Sequence, residues 1–216
     1  MRTNTEAAQL LLLLTWMSPA FPAGAFAYSH GLEWAIDQRA VTTGAELKDW
    51  ISDLLTRGSG WNDAVLFARC WDDDAGELNE LALALATSRE RHLETTQIGR
   101  AFRIAAGIFA APSLDDEEIA YPIAAGTACV AMGIDKDHAL LAWLQGFAAT
   151  LTSVAVRLVP IGQTAGLEVL RDLAPVIART AERASIATLD DLGAITLGAD
   201  IAAMKHETQY SRVFRT

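Results

Sequence analysis

Residues 18–33 read SPAFPAGAFAYSHGLE, and the fold turns on how this stretch is taken. It lies between two apolar, helix-like segments and continues neither. Pro19 and Pro22 lack a backbone donor and fix φ, which opposes a regular helix through both. Ser18 and Phe21 each precede a proline and are pushed towards extended conformations. Gly24 and Gly31 open backbone angles closed to other residues. Between these breakers stand Phe21, Phe26 and Tyr28, large rings that gain most from burial. A loop this apolar either folds against the body of the protein or is kept for another protein to cover.

Outward from the loop, the pattern is helical in both directions. Residues 6–17 form a short helix stopped by Pro19, and residues 26–39 are expected to be helical, with Leu32, Ala35 and Ile36 on one face. Thr43 and Glu46 have capping-box spacing. The helix they open carries Leu47, Trp50, Ile51, Leu54 and Leu55 on one stripe until Gly58-Ser59-Gly60 breaks it. Helices follow at 62–71, 77–87 and 89–109. The charged start of the last, Arg89, Glu90, Arg91, Glu94 and Gln97, reads as a solvated face. Residues 112–118 form an acidic turn. Residues 121–132 are rich in small residues, which lets neighbouring helices come close.

Asp135 caps a central helix in which Leu140, Leu144, Phe147, Leu151, Val154 and Leu158 recur at steps of three and four. Pro160 and Gly162 end it. The next helix is expected to kink at Pro175. A last helix is expected from Asp190 and Asp191 to about Met204. The tail KHETQYSRVFRT is basic, mixes aromatic rings with arginine and lacks helical patterning. Such a terminus is flexible when free and orders on a partner. No repeat or linker interrupts the chain. The expectation is one all-α domain over residues 1–216, a bundle of eight to ten helices with a flexible C-terminal tail.

The totals narrow the function. The 216 residues suffice for one sizeable core, and a hydrophobic share of 51% excludes a disordered chain. A net charge of −10 repels phosphate backbones, so nucleic acid is not an expected partner. AAQLLLLLTWM resembles the core of a secretory leader, but Glu6 precedes it, and Trp16 and two prolines follow, so a cytoplasmic first helix is expected. The uncharged run 139–156 is long enough to cross a membrane, but its polar residues suit the centre of a helical bundle. Cys70 and Cys129 stand far apart in apolar surroundings and read as buried free thiols.

Catalytic spacing is missing. Ser29, His30 and Glu33 suggest a hydrolase, but adjacent residues on a helix point apart. His30, His92, His138 and His206 show no metal-ligand spacing; His206, in the tail, is expected to be the best exposed of them. Asp72-Asp73-Asp74 lacks the ligand pattern of a calcium loop. No phosphate-binding glycine loop occurs. A binding protein without catalytic residues, metal site or cofactor is expected.

SPAFPAGAFAYSHGLE, RERHLETTQIGR, YPIAAGTACVAMGI, AVRLVPIGQTAGLEVL and MKHETQYSRVFRT together resemble the urease accessory protein UreF family. They occur in that family's order over nearly the whole chain, and the first and last are the most specific. Val213 and Thr216 stand where the family pattern has leucine and serine. The resemblance implies a non-enzymatic, cytoplasmic, homodimeric adaptor in nickel insertion into apo-urease. Its partners would be UreD (UreH) and the GTPase UreG. Other readings are a catalytic regulator of the UreG nucleotide cycle and a nickel carrier. By resemblance, Tyr210, Arg212, Phe214 and Arg215 of the tail would dock on UreD. The loop around Pro19, Phe21, Pro22, Gly24, Tyr28 and His30 would belong to the same partner-facing region. Glu94, Gln97 and Gln163 would face the GTPase.

Overall fold

A computed structural model describes residues 2–109 and 118–215; the expected acidic turn lies outside them apart from Glu118. Among these residues the chain forms ten α-helices and no strand. They are α1 (Arg2–Trp16), α2 (Leu32–Asp37), α3 (Gly44–Arg57), α4 (Ser59–Arg69) and α5 (Ala75–Ala84), followed by α6 (Arg89–Ala106), α7 (Tyr121–Ala131), α8 (Lys136–Leu158), α9 (Gly162–Ser185) and α10 (Leu197–His206). Helix α8 is central: it packs on α9, α4, α3, α2 and α7, and α3 also packs on α9.

Capping residues set several starts. Thr43 and Glu46 form the reciprocal capping box at α3. Asp135 accepts from His138 N–H at α8, and Asp74 accepts from Gly76 and Glu77 N–H at α5. Within α8 the expected seam faces inward: Leu140, Leu144, Leu151 and Val154 are buried, and Phe147 and Leu158 are partly so. This helix is long and apolar enough to cross a membrane, but half of its apolar window is buried inside the protein. Helix α9 runs through Pro175.

A row of rings crosses the molecule. Phe21 meets Phe102 at 5.3 Å between centroids, Phe102 meets Tyr121 at 5.7 Å, Tyr121 meets Trp143 at 4.6 Å, and Trp143 stacks on Phe67 at 4.9 Å. Each such pair adds about 0.5–1.5 kcal/mol beyond the area it buries. The row ties the 18–33 loop to α6, α7, α8 and α4.

Three expectations are corrected. The helix expected over 26–39 shrinks to a 3₁₀ turn at Ala25–Ala27 and the six-residue α2. Between them, His30 (φ +58°) and Gly31 (φ +78°) take left-handed angles that no α-helix carries. The last helix begins at Leu197 instead of Asp190. Leu189–Asp191 is a 3₁₀ turn, and Gly193 (φ +92°) breaks the path beyond it. Buried Asn62 of α4 clasps this connection, donating to Ala194 O at 2.9 Å and accepting from Ala194 N at 3.1 Å. The charged start of α6 is only partly solvated: Arg89 and Gln97 are exposed, but Glu90, Arg91 and Glu94 are buried.

Candidate functional site

The buried charges of α6 fall into two clusters under one surface. The first gathers around Arg91. Its Nη1 donates to Glu94 Oε2 at 2.7 Å and lies 2.6 Å from His30 Nδ1. His30 Nδ1 also lies 3.1 Å from Glu94 Oε1, and its Nε2 faces Ser59 Oγ at 2.5 Å. The left-handed angle at His30 brings its ring to this position, edge-on to Phe147. Burial alone would raise the Glu94 carboxyl, but Arg91 and His30 together outweigh it and hold Glu94 far below the ordinary carboxylate range. Asp63, 3.7 Å from Arg91 Nη2, goes the other way: burial raises it, and Arg91 only partly offsets this.

The second cluster fastens the tail. His206 is wholly enclosed, with Nδ1 2.7 Å from Glu90 Oε2 and Nε2 3.1 Å from Glu33 Oε2. This corrects the expectation of an exposed histidine; Lys205 and His206 belong to α10 and not to the tail. Glu33 Oε1 accepts from Val213 N–H at 2.6 Å, and Glu33 Oε2 accepts from Phe214 N–H at 2.8 Å. Arg212 Nη1 donates to Glu90 Oε1 at 2.8 Å. Arg215 N–H donates to Ala27 O at 2.8 Å, and its guanidinium donates to Gln97 Oε1 at 3.2 Å. Tyr28 donates to the same Gln97 oxygen at 2.5 Å. Burial raises the Tyr28 hydroxyl, which therefore remains a donor. The 18–33 loop and the C-terminal residues thus meet on one face.

The residues named from sequence divide by depth. Phe21, Tyr28, His30, Glu94 and Phe214 are buried, with Arg157 over the Phe214 ring at 5.4 Å. Pro19, Pro22, Tyr210, Arg212 and Arg215 are exposed, and Gly24 (φ +79°) is partly covered. Gln163 is exposed in the first turn of α9 and lines a surface groove with Arg157. Glu33, Glu90, Arg91 and His206 were not singled out as site residues. The signal for Glu90 and Arg91 was a surplus of paired charges in RERHLE, with His30 61 positions, His206 116 positions and Arg212 122 positions away among their partners.

Among the described residues no group of three or more His, Cys, Asp or Glu side chains is placed to hold a metal ion. Cys70 and Cys129 are buried and free, as expected.

The architecture is that of a helical protein whose buried charges fasten a Pro/Gly-rich loop to its own C-terminal tail. The chain belongs to the UreF family: the family model, described as UreF, matches residues 41–174. It is 46% identical over 221 residues to the urease accessory protein UreF of Brucella ovis, covering 99% of this chain and 97% of that relative. It is also 46% identical to UreF of Mesorhizobium japonicum over the full length of both. UreF of Methylorubrum populi is 45% identical over 95% of this chain and 98% of its own.

Proposed function

We propose that this chain acts in urease maturation as a non-enzymatic adaptor that joins UreD (UreH) and the GTPase UreG during nickel insertion into apo-urease. The observation that carries this reading is the single face shared by the 18–33 loop and the tail. Tyr210 is fully exposed there, and Val213 is 72% exposed although its backbone is held. Exposed aromatic and arginine side chains on a supported backbone are what an interface anchor requires. In this reading Tyr210, Arg212, Arg215, Pro19, Pro22 and Gly24 touch UreD. Phe21, Tyr28, His30, Glu94 and Phe214 shape that surface from beneath. Gln163, exposed on α9, is left for the UreG side. The setting is cytoplasmic and the working form a homodimer.

Co-purification with UreD tests the reading, comparing the full chain with one ending at Gln209. The shorter chain keeps His206, so its buried carboxylates retain that partner. Loss of UreD from the shorter chain, with its helical content intact, is the expected result. Undiminished binding by a folded chain lacking residues 210–216 overturns it.

A further inference from the structure

The two oxygens facing the His206 ring belong to carboxylates, which only accept while ionised. A ring with two N–H groups donates to both Glu33 and Glu90. A ring with one turns a lone pair towards one of them. These same carboxylates hold the tail, Glu33 through Val213 and Phe214 N–H and Glu90 through Arg212. The remaining charges in reach are few. Glu207 lies near Glu90 and accepts from Arg89 N–H, Arg157 of α8 covers the Phe214 ring, and Lys205 is exposed. Among these, His206 alone bridges both carboxylates.

We propose that Glu33, His206 and Glu90 form a proton-operated latch, closed while His206 carries two ring protons and opened when it loses one, releasing the residues after α10 from the body. Rising pH removes the second donor and sets two carboxylates around a neutral ring, so docking weakens in that direction. Burial raises the Glu90 carboxyl, with the pairing to His206 and Arg212 as the opposing influence. The latch goes beyond the adaptor reading and is read out by the tail's own mobility.

A Ser211→Cys chain carrying a small pH-insensitive fluorophore reports that mobility, because Cys70 and Cys129 are buried. Label anisotropy and far-UV circular dichroism are followed from about pH 6 to about pH 9, across and above the ordinary histidine range. The expected result is a fall in anisotropy towards that of the same label on denatured chain, with circular dichroism constant. His206→Gln is expected to remove the pH response. Constant anisotropy in the labelled chain, or an unchanged response in folded His206→Gln, overturns the latch. Where His206→Gln fails to fold, ring ¹⁵N shifts of His206 in the unmodified chain decide. Two ring N–H groups at low pH becoming one as the tail loosens supports the latch; a single N–H throughout overturns it.

Discussion

Arg91 shows how distance separates two carboxylates on one cation. Glu94 receives a 2.7 Å hydrogen bond and stays ionised, whereas Asp63 at 3.7 Å has no such bond and is dominated by burial. Removing the charge at Glu94 leaves Arg91 enclosed without its close partner, a loss of about 3 kcal/mol. Urea unfolding of Glu94→Gln at neutral pH measures it. A depressed carboxyl supplies stability that is complete above its unfolded-state value and lost as pH falls through its folded one. The deficit is therefore expected to hold down to about pH 4.3 and to narrow below it. Asp63→Asn has the opposite sign. A raised carboxyl favours the protonated fold, so the neutral side chain is expected to leave stability at neutral pH unchanged or higher, by the same measurement. Burial pushes both Cys70 and Cys129 thiols up to about 12. Thiol reagents are thus expected to label the native chain slowly at neutral pH and the denatured chain fast. The buried thiols were legible in the sequence because each lies in a largely apolar helical stretch. Glu90 and Arg91 were not: charges at a helix start look solvated until α10 and the 18–33 loop are known to lie against them.

At the scale of elements, close approach of backbones decides what can change. At Gly99 of α6 an added Cβ would run into the carbonyl oxygen of Ile119 and lie 2.9 Å from Tyr121 N, so α6 and the start of α7 would have to separate. Gly99→Ala is expected to cost about 1–3 kcal/mol in chemical denaturation. Gly198 in the first turn of α10 has no atom within 4 Å of an added Cβ, and Gly198→Ala is expected to be neutral or to gain up to about 1 kcal/mol. Helix starts were readable at Thr43 and Asp135, where a side chain accepts from the first turn. The shortness of α2 was not, because it rests on a histidine at positive φ whose ring is held by Glu94, Arg91 and Ser59. The start of α10 was missed for a similar reason: Asn62, 132 positions away, holds the connection that spacing alone assigned to a helix.

On the scale of the whole molecule, the loop near the start of the chain and the tail at its end support each other. Removing residues 205–216 would take His206 and leave Glu33 and Glu90 enclosed without it. Ending the chain at Met204 is therefore expected to be several kcal/mol more destabilising than ending it at Gln209. Thermal unfolding of the two chains compares them, and equal midpoints would argue against His206 as the tie. The bundle was legible in periodicity. The tail's attachment was hidden, because it runs through main-chain groups that no letter encodes. Glu33 grips the amides of Val213 and Phe214 and not their side chains. Docking at position 213 is therefore blind to the residue there. Val213 projects outward, 72% exposed, from this anchored backbone. Attachment and the outward side chain are separable at that position, so the side chain can change without loosening its own seat.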